Sequence, residues 1–372
     1  MDDLSGAPVK FRICETPCFL PTPLLRKMER FGGELTRQLV GNRDYHAISE
    51  GSIPAEFKVP NEDATPLFLQ VDFGLVRGAD GELEPKLVEL QGFPSLYAYQ
   101  SLLAHEYIEA YGLSNSLKVF SSGLDTASYG RLLCDSILGG HDPENVALLE
   151  IDPLEQKTLP DFLLTKQLCG IETVNIRDVK REGMKLLYPR AGRLIPIERI
   201  YNRTIVDELV RKDAHLSFDF RDELDVEWAG HPNWYFRVSK FSIPYLRHAC
   251  VPRTQFLDQI EQLPADRENY LLKPLYSFAG AGITFAPTDA DLAAIPAARR
   301  NDYILQERMS FEPVIETPHG ATQAEIRIMY IWPPHGELTP VMSLVRMGRG
   351  KMMGVDHNRD LEWVGASAGL TV

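Results

Sequence analysis

The stretch from Leu69 to Pro94, LQVDFGLVRGADGELEPKLVELQGFP, constrains this chain most, because it places acids inside two apolar strands. Asp80-Gly81 between alternating apolar residues is a strong hairpin signal. If these two residues are the centre of a two-residue turn, strand pairing places Asp72 opposite Glu89. A longer loop would shift that register.

Two opposed carboxylates predict either a cation between them or a solvated acidic face. Directly paired side chains lie about 4.5–5.5 Å apart in a sheet, and like charges there repel. Gln91 lies two residues beyond Glu89 and therefore projects from the same face. Asp72, Glu89 and Gln91 form an oxygen-only set that suits Mg²⁺, which borrows further ligands from nucleotide phosphates. The residues alone favour neither alternative.

Length and charge limit the kinds of partner. A chain of 372 residues suits two or three lobes, and its longest apolar runs fall short of the roughly 20 residues that a membrane helix needs. The net charge of −13 argues against binding to nucleic acid and favours small-molecule partners. The acidic start shows no secretory pattern, so we expect a cytoplasmic protein without membrane contact. The sequence leaves the oligomeric state undecided, with a homodimer as one alternative.

The five cysteines are odd in number and scattered, which predicts reduced thiols rather than disulfides. Cys14 and Cys18 could supply half of a metal site, but no second Cys or His pair with zinc spacing follows, so we expect structural thiols.

The first two thirds of the chain read as an α/β pattern with a hairpin before it. Periodicity predicts a helix over 23–39, the hairpin at 67–93 and a helix over 95–111 that ends at Gly112. A strand at 146–151, a helix over 154–169 and a strand at 171–176 form a βαβ unit, and 194–205 supplies a further strand. The acidic stretch up to about residue 227 reads as a surface connection or a helix. We therefore expect a Rossmann-like lobe at 117–235.

The last third changes character. A helix-like segment at 240–248 precedes strands at 269–276, 283–286, 303–309, 325–332 and 342–348, with a small-residue loop at 277–282. Lys273 interrupts an apolar strand, so its stem can be buried while its ammonium group reaches a cleft. Gly280 and Gly282 in the loop let backbone N–H groups approach an anion, although a flexible hairpin explains them equally well.

Further charged residues lie at the ends of these strands. Gln306, Glu307 and Arg308 end a buried strand, where a carboxylate and backbone amides could read an adenine edge, or the strand could simply run into solvent. Three cations within six residues, Arg346, Arg349 and Lys351, indicate a phosphate or carboxylate partner, with plain surface charge as the alternative.

Taken together, the segments RVSKFSIPYL, YLLKP, SFAGAG, YILQERM, EIRIMYI and LVRMGRGKMMGVDHN resemble the nucleotide-binding half of ATP-grasp enzymes. That family's magnesium motif, an Asp followed by Glu-x-Asn, normally comes last. Here the similar segment VDFGL…KLVELQGFPSL stands at 71–96, as in the circularly permuted ATP-grasp proteins, a group that includes glutathionylspermidine synthases. Gln91 stands where the family shows Asn, and it presents the same carbonyl oxygen from a longer arm.

The resemblance implies a circularly permuted ATP-grasp fold of the α/β (α+β) class with three regions. Residues 1–116 would carry the metal-binding hairpin, 117–235 the Rossmann-like lobe and 236–372 the nucleotide-binding lobes. ATP and Mg²⁺ are the implied cofactors. Implied site residues are Asp72, Glu89 and Gln91 for the metal, Arg346, Arg327 and Lys273 for catalysis, and, for the nucleotide, Lys240, Lys273, Ser277, Gly280, Gly282, Gln306, Glu307, Arg308, Met309 and Glu312, with Glu316 as an alternative to Glu312 at the ribose.

The implied activity is an ADP-forming ligase that joins a carboxylate to an amine or thiol through an acyl phosphate. Amino acids, peptides, amines or thiols would be its substrates. A kinase on the same scaffold and a non-catalytic ATP-binding partner protein are the alternatives. The sequence does not name the substrates, and it does not say which arginine meets the transferred phosphate.

Overall fold

The fold is a mixed α/β arrangement of several sheets, and the computed structural model describes residues 2–276, 282–350, 353–354, 358 and 360–372. Its α-helices are α1 (Asp2–Ser5), α2 (Thr22–Val40), α3 (Arg43–Ser49), α4 (Tyr97–Ala110), α5 (Thr126–Leu138), α6 (Leu159–Cys169), α7 (Val206–Arg211), α8 (Asn233–Arg237) and α9 (Asp289–Ala293). Short 3-10 turns lie at Glu50–Ser52, Ala55–Phe57, Pro143–Asn145, Pro153–Glu155, Ile176–Asp178, Lys240–Tyr245, Leu257–Gln259, Arg267–Asn269 and Ala297–Asp302.

The strands carry most of the organisation. They are β1 (Cys18–Leu20), β2 (Phe68–Arg77), β3 (Leu83–Gln91), β4 (Val146–Glu150), β5 (Glu172–Asn175), β6 (Lys180–Glu182), β7 (Lys185–Arg190), β8 (Arg193–Ile197), β9 (Arg199–Asn202), β10 (Glu227–Ala229), β11 (Thr254–Phe256), β12 (Tyr270–Pro274), β13 (Thr284–Phe285), β14 (Tyr303–Glu307), β15 (Pro313–Ile315), β16 (Thr322–Ile331), β17 (Thr339–Gly348) and β18 (Gly365–Thr371).

A seven-stranded sheet joins the early hairpin to the late strands. Its order is β1-β18-β17-β16-β2-β3, and β15 pairs with β16 beside this path. β16 pairs antiparallel with β2 and β17, which sets Arg327 directly across from Asp72. Residues about 250 positions apart in the chain therefore share one row of the sheet.

The hairpin between β2 and β3 pairs Asp72 with Glu89 as predicted, but by a different route. Its loop is one residue longer than a two-residue turn, because Gly78 donates its N–H to the Glu82 carbonyl and Gly81 takes a positive φ of 86°. A β-bulge leaves Val88 without a partner, since Asp72 pairs with Glu89 and Phe73 with Leu87. The two one-residue shifts cancel at the acids.

Both faces of β2 are covered, which explains its nearly continuous burial. Leu69, Val71 and Phe73 pack in a core with the apolar side of α2. The opposite face begins in a second core, where Phe68 packs with Tyr97 of α4 and with residues of α5 and the parallel sheet. Farther along β2 that same face turns polar at Gln70 and Asp72. Asp72 is therefore buried on this face of β2, beyond the apolar core and within the candidate site.

The remaining sheets are smaller. β10-β9-β4-β5 is a parallel sheet in which α6 connects β4 to β5, as the βαβ pattern predicts. β11-β14-β12-β13 is antiparallel and contains Lys273, and β6-β7-β8 forms a third small sheet. The predicted division at residues 116 and 235 stays a prediction.

Three sequence-based expectations are corrected. Residues 194–205 form two strands, because β8 and β9 belong to different sheets. The helix predicted over 154–169 begins at Leu159, after a separate 3-10 turn at Pro153–Glu155. Cys134 and Cys169, predicted as thiols, form a disulfide with a Cα–Cα distance of 5.2 Å. The packing of α5 beside α6 brings these cysteines together, and their spacing in the sequence gives no sign of it. Cys14, Cys18 and Cys250 are free and buried.

Candidate functional site

A buried ion-pair group forms the centre of the candidate site. Arg327 donates from Nε and Nη2 to the two oxygens of Asp72, each at 2.6 Å, and Arg346 donates a third hydrogen bond to Oδ2. Asp72 is fully buried. Burial raises the pKa of this carboxyl group, but the two guanidinium groups outweigh that effect and hold the pKa below its ordinary value. Asp72 is therefore an ionised group that holds two arginines in place.

Two further side chains belong to this ion-pair group. Gln70 accepts a hydrogen bond from Arg327 Nη1 at 2.8 Å, and Glu325 lies 2.5 Å from Arg346 Nη2. Burial raises the pKa of Glu325, with Asp72 and Glu89 adding to the rise and Arg346 opposing it. Glu325 pairs across the sheet with Gly74 on one side and Arg346 on the other. The group thus alternates acids and arginines along neighbouring strands.

Arg346 carries an unused donor. Its Nε is buried and has no hydrogen-bond partner among the described residues, although its side chain as a whole is 21% exposed. Burial lowers the pKa of Arg346, but the surrounding carboxylates outweigh that effect and hold the pKa above its ordinary value, so the group stays charged. A buried guanidinium N–H without an acceptor is costly. An anionic ligand oxygen would satisfy it.

Lys273 on β12 reaches the same region. Its Nζ donates to Gln306 Oε1 at 2.6 Å, and the side chain is buried. Burial lowers the pKa of Lys273 to about 8, with Lys240 contributing to the decrease and the carboxylates of Glu89 and Glu325 opposing it. The structure therefore brings the late lysine close to the early hairpin acid.

The predicted metal set stays a prediction, and its three residues differ in how far their oxygen atoms are already used. Both oxygens of Asp72 are taken by arginines, and the described residues contain no group of three or more His, Cys, Asp or Glu side chains arranged to hold a metal ion. Glu89 is 22% exposed, its Oε1 accepts a hydrogen bond from Gln91 Nε2, and it lies 4.0 Å from Arg327 Nη2. Glu89 and Gln91 keep oxygen atoms that suit Mg²⁺, whereas Asp72 already accepts three hydrogen bonds from arginines.

The residues predicted to read adenine are only partly open to a ligand. Gln306 is fully buried between Lys273 and Thr254 Oγ1, to which it donates at 3.1 Å. The N–H of Glu307 donates to Arg253 O and that of Arg308 to Asn269 O, at 2.8 and 2.7 Å. Both backbone donors are thus used within the protein and are not available to a base.

The other predicted nucleotide residues lie around this region. Glu312 pairs with Arg77 at 2.8 Å, and its N–H donates to Leu75 O. Met309 is half-buried, and Gly282 is exposed with a positive φ of 74°. Lys240 begins the 3-10 turn after α8 and acts electrostatically on Lys273. The predicted residues Ser277 and Gly280, and Lys351 of the cation cluster, lie outside the described residues.

Sequence reasoning missed one member of the ion-pair group, Gln70, and it placed Glu325 beside Arg327 on one strand face without giving it a role. Glu325 stands on the same strand face as Arg327, two residues away, and this spacing is visible in EIRIMYIW. Gln70 has the same relation to Asp72. What the sequence could not show is the pairing of β16 with β2, which turns two separate patterns into one cluster.

Comparison with known proteins gives a fold likeness only. No family model matches the chain, and no curated protein matches it. A solved structure of a glutathione synthetase-like effector from Globodera pallida, in its apo form, is similar with a TM-score of 0.59 and 12% sequence identity, over 97% of this chain and 90% of that one. This likeness is consistent with an ATP-grasp-like fold. In the described part of the chain, no helix is both long and apolar enough to span a membrane.

Proposed function

We propose that this protein is an ATP-dependent ligase that joins a carboxylate to an amine or a thiol and releases ADP and phosphate. The observation that carries the proposal is the unused, buried Nε of Arg346 together with the buried ammonium of Lys273, since both cations interact electrostatically with Glu89 and Glu325. Two cations held by neighbouring acids, one of them with an unsatisfied donor, suit a phosphate group. The fold likeness to a glutathione synthetase-like effector supports the same class.

The residue roles follow from charge and position. Lys273 and Lys240 would hold the nucleotide phosphates, and Arg346 would meet the transferred γ-phosphate through Nε. Arg327 is bound by Asp72 and Gln70 on three donors, so it would act by fixing Asp72 and, through it, Arg346. Asp72 is thus a positioning residue. The proposal therefore assigns the phosphate to Arg346 rather than to Arg327.

The proposed chemistry needs no nucleophile from the protein. The substrate carboxylate attacks the γ-phosphorus, and the bond from the γ-phosphorus to ADP breaks. The amine or thiol then attacks the acyl carbon of the resulting acyl phosphate, the bond from that carbon to the phosphate oxygen breaks, and phosphate and a proton leave. Phosphoryl transfer has a loose, anionic transition state, so the protein contributes mainly position and opposite charge. Mg²⁺ would supply further neutralisation at the phosphates. Glu89 and Gln91 are the residues with oxygen atoms to hold it.

Adenine and ribose recognition stay predictions of the resemblance. Gln306 is committed to Lys273, and the N–H groups of Glu307 and Arg308 are committed to carbonyls. We therefore propose that Gln306 sets the position of Lys273 and that base contacts come from the Glu307 and Arg308 side chains and from Met309.

The test is an assay of ADP and phosphate release over amino acids, thiols and polyamines with ATP and Mg²⁺. We expect substrate-dependent release of both products in equal amounts, and a large loss with Lys273→Ala and Arg346→Ala. Lys185→Ala is the matched control, because Lys185 is an exposed lysine on β7, in a different sheet. Full turnover in both site variants would contradict the assignment.

A non-catalytic ATP-binding protein is the second candidate, and the engagement of Asp72 by two arginines favours it. Such a protein would bind ATP and show no substrate-dependent ADP release. Nucleotide binding by calorimetry, run beside the release assay, separates the two. ADP formed with a phosphorylated product but without free phosphate would indicate a kinase.

A further inference from the structure

A cavity lies away from the ion-pair group. It has a volume of about 630 Å³ and lies between residues 59–67, residues 220–231 and the turn at 332–336. Small-molecule sites commonly have volumes of about 300–1,000 Å³. Trp332 and Leu67 line it, and each stands five residues along its strand from Arg327 or Asp72, a separation of roughly 17 Å at about 3.4 Å per residue. The cavity is therefore separate from the proposed phosphate site.

Its walls are largely aromatic and apolar. Trp228 is buried and stacks on Phe220 with an interplanar angle of 23°, and His231 meets Trp228 edge-on. Trp332 is half-buried, and its Nε1 donates to Gly336 O at 3.3 Å, which fixes the ring at the end of β16. Indole rings attract cations over their faces. The walls suit a flat or extended apolar body.

The charges around the cavity are mostly negative. Asp63, Asp222 and Glu227 line it together with one cation, Arg199. Arg199 is occupied, because it binds Glu227 at 2.5 Å and donates to two backbone carbonyls of α5.

The carboxylates differ in whether they already have a partner. Asp222 pairs with Arg181 at 2.5 Å, and Glu227 also faces His141 at 3.3 Å. Asp63 forms no ion pair or side-chain hydrogen bond with any described residue, and the residue as a whole is exposed. Partial burial of its carboxyl group raises the pKa of Asp63, while His231 and Arg199 oppose that rise. The cavity thus has one carboxylate still free to bind a cation.

His231 does not offset that negative charge. Its Nε2 faces the Pro60 carbonyl at 3.1 Å and its Nδ1 accepts from the Asn233 N–H at 3.3 Å, an arrangement that suits the neutral ring. Burial also lowers the pKa of His231. His335 lies in the exposed turn that closes the other side.

We propose that this cavity binds an organic ammonium ion with an apolar or aromatic body, the ammonium group paired with Asp63 and the body packed between Trp228 and Trp332. The site is independent of the nucleotide and of the proposed ligase activity. The chemistry of the walls defines the class: a cation for the free carboxylate, and an apolar body for the indole rings.

The test uses phenethylamine as the probe, with phenylacetate and 2-phenylethanol as the anionic and neutral analogues, and measures binding by saturation-transfer NMR and calorimetry without ATP. We expect phenethylamine to bind, phenylacetate not to bind and 2-phenylethanol to bind more weakly than phenethylamine. Asp63→Asn should weaken phenethylamine roughly two- to fivefold, as for a partly exposed ion pair. Trp332→Leu should weaken phenethylamine and 2-phenylethanol alike.

Asp135→Asn is the matched control, because Asp135 is an exposed acid on α5 that does not line the cavity. Circular dichroism checks that each variant is folded, and Asp63→Asn removes no protein contact, so it keeps the test decisive if Trp332→Leu unfolds. Equal binding of phenylacetate, an unchanged affinity in Asp63→Asn, or no binding of any probe would each overturn the proposal. None of these outcomes bears on ATP turnover.

Discussion

Replacing Asp72 with Asn tests whether this acid positions the two arginines or serves as a metal ligand. In the structure it accepts two hydrogen bonds from Arg327 and one from Arg346 while fully buried. Asn has nearly the same volume, but it loses the charge and turns one acceptor into a donor that faces a guanidinium group. The change therefore leaves two buried arginines with much less compensation.

The expected cost is a decrease in the free energy of unfolding of about 3–5 kcal/mol, the usual effect of removing one partner from a buried ion pair. The loss should appear without nucleotide and without metal. Because the folded-state pKa of Asp72 lies below its ordinary value of 3.8, its contribution is fully present above about pH 4 and is lost as the pH falls through the lowered pKa. The difference between wild type and variant should therefore shrink in acid.

Urea unfolding followed by circular dichroism, in buffer with EDTA, measures this difference. Glu89→Gln is the control, because Glu89 stands opposite Asp72 but is partly exposed and approaches Arg327 only to 4.0 Å. It should cost less than about 1 kcal/mol. A stability of Asp72→Asn within about 1 kcal/mol of wild type would refute the positioning role and return Asp72 to the metal ligands.

Three further outcomes follow from the structure. Because the pKa of Lys273 is about 8, nucleotide affinity measured by calorimetry should fall roughly tenfold between about pH 7 and pH 9. Lys273→Arg should flatten that pH dependence, and a flat profile in the wild type would contradict the prediction. Replacing both Cys134 and Cys169 with Ser should lower the free energy of unfolding by about 4 kcal/mol, as expected for a disulfide that closes a loop of 35 residues. Mass spectrometry without reductant verifies the bond in the wild type, and free thiols at Cys134 and Cys169 would disprove the pairing. Gly74→Ala should destabilise by about 1–3 kcal/mol in urea unfolding, since a Cβ there would lie 2.2 Å from the Phe311 ring, and an unchanged midpoint would show that the ring moves freely.

The sequence predicts local elements well where one periodicity dominates. α2 at Thr22–Val40 and α4 at Tyr97–Ala110 match the predicted helices closely. β18 was not predicted, because its sequence GASAGLT has few large apolar residues. The structure gives the reason for the small side chains: a Cβ on Gly369 would lie 2.2 Å from Ser343 Oγ on the neighbouring strand. Close strand contact, which the sequence does not display, selects glycine there.

The hairpin prediction gave the correct pairing of Asp72 with Glu89 although it missed two features of the hairpin. The predicted turn is one residue too short, yet Asp72 still faces Glu89 because the bulge at Val88 compensates. The bulge also explains why Leu87 and Leu90, three residues apart, both pack in the core beside α2. Strict alternation would send one of them to the opposite face. The spacing of these two leucines was therefore a visible sign of the bulge.

The site could be predicted as a set of residues but not as a set of contacts. Arg327, Arg346 and Asp72 were each identified from the sequence, the arginines for phosphate and the acid for a metal. Long-range pairing of β16 with β2 and with β17 makes them partners of one another. The same holds for Gln306, which binds Lys273 across two neighbouring strands. Contacts between distant strands decide which polar groups remain free for a ligand.

Charge balance favours a nucleotide that brings its own cation. The carboxylates Asp72, Glu89 and Glu325 nearly cancel the cations Arg327, Arg346, Lys273 and Lys240, so the cluster carries about one positive charge. Free ATP adds about four negative charges, and burying that excess in a low-dielectric site is unfavourable. A bound Mg²⁺ would remove about two of the roughly three negative charges in excess, and it could use the oxygens of Glu89 and Gln91. The ion pairs of Asp72 with the arginines are then compatible with the proposed ligase, because Mg²⁺ would bind together with the nucleotide phosphates and not in a preformed metal site.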